Sequence, residues 1–169
     1  MKEFSSLGAF AAHLVTREAE VAFNLHAGLE VVARRVEETA KSEIGMYQPE
    51  VGNFPEWAPL AESTLEEKER LGFAPPDNPL LREGHLRDSI EHETHVLDAV
   101  IGSKSDIAAY QEFGTASIPP RSFIGPAMVR NVELLERMTG AAAVIGIGGG
   151  ARLNPALGYD LSTRLLPKE

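Results

Sequence analysis

The stretch Ser5–Glu43, SSLGAFAAHLVTREAEVAFNLHAGLEVVARRVEETAKSE, decides the fold. Leu7, Phe10, Leu14, Val21, Leu25, Leu29, Val32 and Val36 recur at spacings of three, four or seven, which places them along one helical face. Only Glu18 interrupts that stripe. Ser5 or Ser6 supplies a cap and Gly45 a stop. At 1.5 Å per residue such a helix is about 55 Å long. One small domain does not cover that length, so the pattern predicts a kink near Gly28 or packing against another subunit. Leu7–Val15 also has the apolar character of a secretory leader. Lys2 is cancelled by Glu3, however, and the helical pattern continues to Glu18, so it reads as ordinary helix.

Beyond this helix the chain turns irregular over residues 46–81. Pro49, Pro55, Pro59, Pro75, Pro76 and Pro79 punctuate it. One short helix fits inside, capped at Ser63 or Thr64 and running through Glu67, Lys68 and Arg70 to Gly72, with Ser63 and Glu66 at capping-box spacing. Residues 86–103 read as strands: Ile90, His92, Thr94 and Val96 alternate with Glu91, Glu93, His95 and Leu97, and Asp98 supplies a turn before Ala99–Gly102. Asp106–Phe113 is a short helix closed by Gly114. Pro119 and Pro120 keep Ile118–Ile124 extended, and Pro126 opens a helix to about Ala143 with Met128, Val132 and Leu135 inward. The order implies an α+β fold, a small and mostly antiparallel sheet packed by a long N-terminal helix and a C-terminal helix, with an extended C-terminal tail. Residues 1–143 form one domain and residues 144–169 a flexible or partner-docking arm.

Composition narrows the functions. The 169 residues are 43% hydrophobic, so wholesale disorder is excluded. There is no apolar run of the roughly 18 residues that a membrane-spanning helix needs. The absence of cysteine excludes a disulfide framework, a thiolate zinc site and a cysteine nucleophile, and fits a cytosolic life or assembly compartment. A net charge of −9 argues against gripping nucleic acid by neutralising phosphates, although not against surrounding DNA.

Three patterns hint at chemistry and none builds it. Gly146, Gly148, Gly149 and Gly150 follow a helix rather than a strand, and no Gly-Lys-Ser/Thr ending is present, so they read as a hinge rather than a phosphate cradle. His92 and His95 are three apart on a strand and therefore on opposite faces, while His13 and His26 are about four helical turns apart. With Glu91 and Glu93 these histidines read as a solvated surface rather than a metal site. Glu66, Glu67 and Glu69 read as a wet helix surface. Ser103, Ser105 and Asp106 near His95 lack the Gly-x-Ser-x-Gly elbow of a hydrolase. No catalytic residue, cofactor or metal is expected.

Another series is harder to explain as packing alone. Trp57-Ala58-Pro59-Leu60 is followed by Thr64 and Lys68, then by Pro79-Leu80-Leu81, Gly84, Leu86 and Ser89-Ile90. Tyr110, Glu112-Phe113-Gly114-Thr115 and Ile118-Pro119-Pro120-Arg121-Ser122-Phe123-Ile124 complete it. In this order the series resembles the phage virion-morphogenesis or tail-completion family, related to head–tail joining and tail-terminator proteins. The resemblance covers about residues 20–140 and is most specific from Tyr110 to Ile124. Ser122 stands where many members have proline, Phe73–Asn78 is unusually rich in proline, and the chain after Ala143 has no counterpart.

The resemblance implies a structural virion protein, not an enzyme. It forms a ring, typically a hexamer, at the head-proximal end of the tail, assembled in the cytoplasm of a bacterial host. That ring ends growth of the tail tube and joins tail to head, so its partners are the tail-tube protein and a head-completion or connector protein. The resemblance further implies that DNA passes through the lumen without specific binding and that no membrane is involved. The neighbouring reading is a head-side connector or stopper of the neck; an enzymatic alternative is a small nucleotide-binding or hydrolytic protein using Gly146–Gly150. The interface candidates are Trp57, Leu60, Tyr110, Phe113, Gly114, Pro119, Pro120, Arg121 and Phe123. Phe123 and Tyr110 are expected to be buried, and Arg121 to hold the loop through a charged hydrogen bond. The arm carries Leu153, Leu157, Tyr159, Leu161, Leu165 and Leu166 without clear periodicity. It reads as crossing to a neighbouring subunit or the head-side ring, or else as packing loosely on its own domain.

Overall fold

Ser6 starts the first helix by accepting the Ala9 N–H on its hydroxyl at 3.1 Å. The computed structural model describes residues 3–148, so expectations for residues 149–169 lie outside the described residues. Its elements are α1 (Leu7–Glu43), α2 (Glu62–Arg70), α3 (His85–Asp88), β1 (Ile90–Thr94), β2 (Ala99–Ser103), α4 (Asp106–Phe113), α5 (Ile124–Arg130) and α6 (Val132–Gly148). The fold is α+β, with a two-stranded antiparallel sheet, a long N-terminal helix and a C-terminal helix. The described residues group into two compact units. One holds α1 up to Ala33, Thr94–Ala99 and α6 from Glu133; the other holds Arg34–Glu93 and Val100–Val132.

In the first unit α1 is helical without interruption at Gly28, so no break occurs there. The inward side of α6 repeats every four residues, with Leu134, Met138, Ala142 and Gly146 all buried. Gly146 is helical rather than a hinge. A Cβ there would lie 2.5 Å from Val21 Cγ2 and 2.6 Å from Val21 Cα, so the missing side chain is what lets α6 meet α1. The predicted helix end near Ala143 therefore falls short, because Gly146 is used for packing. The start of α1 is different: Leu7 is 83% exposed, and Phe4, Phe10, Leu14 and Val15 are exposed as well.

In the second unit Val36, Ala40, Ile44, Trp57, Ile90, Ala108, Phe123 and Ala127 form the buried core. Gly45 ends α1 at φ +98° and donates its N–H to the Pro79 carbonyl at 2.9 Å, tying the helix end to the proline-rich stretch. The single helix expected from Pro126 is two, separated at Asn131. Met128 and Val132 are exposed, not inward, and Leu135 is only half-buried. The buried line is shifted by one residue, to Ala127 and Asn131. Asn131 Nδ2 donates to Thr39 Oγ1 at 3.0 Å and to the Ala127 carbonyl at 2.8 Å, which pins this side of the chain against α1.

Two further expectations change at element ends. Residues 86–88 are helical rather than extended, because Gly84 adopts φ +91° and turns the chain into α3 before β1 begins. Helix α2 starts earlier than Ser63: the Ala61 carbonyl accepts the Thr64 and Leu65 N–H groups, and no capping-box bond forms. The hairpin matches its pattern over β1, with Ile90 buried and His92 and Thr94 half-buried on the same face, but the strand ends at Thr94: Val96 and Leu97 are exposed in the turn, where His95 N–H donates to the Asp98 carbonyl at 2.8 Å.

Candidate functional site

Seven of the nine interface candidates lie on a strap formed by residues 110–125, and Trp57 and Leu60 belong to the segment it is bonded to. Helix α4 delivers Glu112 and then stops at Gly114, φ +73°, where a Cβ would approach Ile118 O to 2.9 Å and Pro120 N to 3.0 Å. Only glycine fits that turn. Thr115 N–H donates to the Ile118 carbonyl at 2.9 Å, so Pro119 and Pro120 leave the turn in a set direction. Arg121 N–H then returns to the Gln111 carbonyl at 2.7 Å.

Arg121 acts as a clamp. Its side chain is nearly inaccessible, and it donates from Nε and Nη2 to the Ala58 carbonyl at 3.2 and 2.9 Å, and from Nη2 to the Pro59 carbonyl at 3.0 Å. Trp57 closes the same junction from the other side, with Nε1–H donating to the Ser122 carbonyl at 2.9 Å. Burial lowers the Arg121 pKa, although the guanidinium remains charged. The expected charged hydrogen bond is present, and Phe123 is fully buried.

Tyr110 corrects the reading. It is 52% exposed, because α4 turns its one buried position, Ala108, to the core and leaves Tyr110 on the opposite side. Phe113 is 81% exposed, Pro119 and Pro120 are exposed, and Leu60 is half-buried. The nine candidates therefore divide into a buried clamp of Trp57, Arg121 and Phe123 and an open rim that includes Tyr110 and Phe113.

Glu112 belongs to the same series without standing out in it, and it is the centre of the strap. Its Oε2 accepts the Phe123 and Ile124 N–H groups at 2.8 and 3.0 Å, and Oε1 accepts the Gly125 N–H at 2.9 Å. These are the amides of the N-cap residue Phe123 and of the first two residues of α5, where a carboxylate satisfies donors that have no partner within the helix. Its position two residues before a turn glycine was the available signal.

Beside the strap lies a cavity of about 940 Å³, lined by Leu60, Leu71, Phe73, Leu81, Ile107 and Ile118 among others. Lys68 and Arg121 also line it, and both are more than nine-tenths buried. Lys68 belongs to the polar helix that the sequence suggested was solvated. Instead its Nζ donates to the Asn78 carbonyl at 2.5 Å, and burial lowers its pKa. Leu80, another lining residue, holds φ +61°, a left-handed conformation that is strained for a side chain of this kind.

The histidines do not converge on a metal. His92 pairs with Glu37, and His26 Nδ1 lies 2.7 Å from the His95 carbonyl. Among the described residues there is no group of three potential metal ligands. No described helix is long and apolar enough to cross a membrane. No protein-family model, curated protein or solved structure matches the chain.

One ion pair sets a pH dependence. Glu43 is buried and meets Arg130, and burial outweighs that guanidinium, raising the Glu43 pKa from 4.5 to about 7. A carboxyl that is easier to protonate when folded stabilises the fold fully below pH 4.5 and loses that contribution as pH rises to about 7. The difference amounts to roughly 3 kcal/mol at most. Glu37 acts in another window. Burial raises its pKa, but hydrogen bonds from Lys41 and His92 outweigh burial and hold it low, so its contribution is lost only in acid. Denaturant melts at pH 5 and pH 8 are expected to show the loss in the parent chain and a flatter profile in Glu43→Gln. An equal slope in both would show that Glu43 titrates normally.

Proposed function

We propose that this chain is a structural protein of the phage tail–head junction that closes into a ring, ends growth of the tail tube and joins tail to head. The observation that carries this reading is the uncovered apolar start of α1. Leu7, Phe10 and Leu14 stand exposed in line with Val32 and Val36, which are covered farther along the same helix, and Val15 is exposed beside them. Exposed apolar surface of this kind fits a subunit contact. A closed ring requires two different patches on each copy, and the open rim of Tyr110 and Phe113 offers a second one. The residues that carry the family resemblance support the same reading. Trp57, Arg121 and Phe123 come from distant parts of the chain and are joined in one strap, as a shared fold-holding motif requires.

Light scattering at several concentrations is expected to give a multiple of 18.3 kDa, six copies being the expected number, and electron micrographs to show rings. A strictly monomeric protein, without rings even after tail-tube protein is added, would overturn the reading. With net charge −9, no measurable duplex binding is expected at physiological salt, because a lumen that passes DNA must not hold it. Tight binding by isolated subunits would contradict the channel.

A further inference from the structure

The cavity beside the strap holds more positive charge than its own chain answers. Lys68 and Arg121 are 3% and 6% exposed, yet their hydrogen bonds run to main-chain carbonyls: Asn78 for Lys68, Ala58 and Pro59 for Arg121. Among the described residues neither forms an ion pair. An ammonium has three donors and a guanidinium five, so each retains donors beyond those bonds. The rest of the wall is mixed, with Leu60, Leu71, Phe73, Leu81 and Ile107 on its apolar part and Arg82, Glu83, His85 and Gln111 on its polar part. Its volume of about 940 Å³ lies at the upper end of the roughly 300–1,000 Å³ typical of ligand sites. Asp77 reaches Lys68 only through space, and Glu83 is the one acid in a wall that also holds Lys68, Arg82 and Arg121; buried positive charge left so incompletely answered is costly. The chemistry that fits is therefore one carboxylate flanked by apolar side chains. The strained backbone of Leu80 in the same wall fits a recognition site better than a packing defect.

Residues 149–169 contain that combination once. Their acids are Asp160 and Glu169 and their cations Arg152, Arg164 and Lys168; Glu169 adjoins Lys168, whereas Asp160 lies in Leu157-Gly158-Tyr159-Asp160-Leu161 with no cation nearer than Arg164, so the complementarity is local to Asp160. Four leucines, Leu153, Leu157, Leu161 and Leu165, also recur at four-residue steps, a regularity that Pro155 and Gly158 obscure. We propose that the cavity receives residues 149–169 of a second copy, with the Asp160 carboxylate answering Lys68 and Arg121 and with Leu157, Tyr159 and Leu161 against the apolar part of the wall. The proposal rests on the ring reading, in which one copy offers a patch that differs from the patch it meets on the next. It adds the identity of one such pair.

The absence of cysteine makes a direct test possible in the full-length protein. Two single-cysteine variants, Ile107→Cys on the cavity wall and Leu161→Cys on the arm, are mixed and treated with a short bismaleimide. The expected product is a covalent dimer with one chain of each kind. Its yield should be several-fold above that of Lys104→Cys, an exposed position off the cavity, mixed with Leu161→Cys. Asp160→Asn should cut the yield several-fold without touching the cavity. Lys68→Met should do the same while circular dichroism reports an intact fold. No preference over the Lys104→Cys control, or indifference to Asp160→Asn, overturns the proposal. So does cross-linking within one chain at high dilution when both cysteines are combined. Rings on the grid without the preferred cross-link remove the arm from the cavity and leave the ring standing. A preferred cross-link without rings keeps the dock and removes the ring.

Discussion

Phe123→Ala is expected to lower the unfolding free energy by about 3–5 kcal/mol, the cost of emptying a fully buried aromatic site. The ring has no exposed surface, and its residue sits where the strap turns into α5. Collapse around the void is restricted on both sides. Arg121 is fixed to Ala58 and Pro59, and Gly125 packs so closely on Phe54 that an added Cβ would fall 2.2 Å from the Phe54 ring. Denaturant melts followed by far-UV circular dichroism measure the loss. An unchanged midpoint would mean that Phe123 does not fill the core and is free to act as a docking contact.

Glu112→Ala is expected to cost about 3 kcal/mol, because charge-assisted hydrogen bonds to three backbone amides are lost together. The Phe123, Ile124 and Gly125 N–H groups all end on this one carboxylate. Glu112→Gln should fall between the parent and the alanine variant, since one amide oxygen remains to accept. Glu112→Asp should resemble alanine, because the shorter side chain withdraws its oxygens from α5. Melting midpoints that leave the three variants indistinguishable from the parent would show that water replaces the carboxylate at no cost.

These two residues illustrate what the sequence makes legible. Phe123 follows directly from its setting, a large apolar residue after a rigid Pro-Pro-Arg segment, and its burial was expected. Tyr110 belongs to the same series but sits on a short helix with one buried position, Ala108. With only two turns there is too little periodicity to say which side faces inward. The long helix was legible because its stripe repeats over ten turns; its uncovered beginning was legible only as excess length.

Long-range polar partners were the least visible. Lys68 stands among Glu66, Glu67 and Glu69 and looks solvated, yet it reaches a carbonyl ten residues away in the proline-rich stretch. Glu43 reads as part of a charged helix end until Arg130 arrives from 87 positions later. Such residues have no local signature, because burial is decided by what the rest of the chain brings to them. Gly146 misleads for a related reason: a glycine that permits close helix packing has the same spelling as one that permits a bend.

The strap also has a consequence in time. Its hydrogen bonds from Trp57 to Ser122 and from Arg121 to Ala58 join residues 65 and 63 positions apart. Closing such distant pairs demands an entropy loss that a helix, built from neighbours, avoids. During synthesis α1 has its own hydrogen-bonding partners as soon as it emerges, whereas Trp57 waits for more than sixty further residues. The second unit therefore completes late, when the chain beyond Gly125 has been made and the Glu112 carboxylate can gather the first amides of α5. Until then Trp57 and the core it covers remain open to chaperones and to neighbouring nascent chains. Slow translation across residues 58–122 would lengthen that exposure, while faster translation would shorten it.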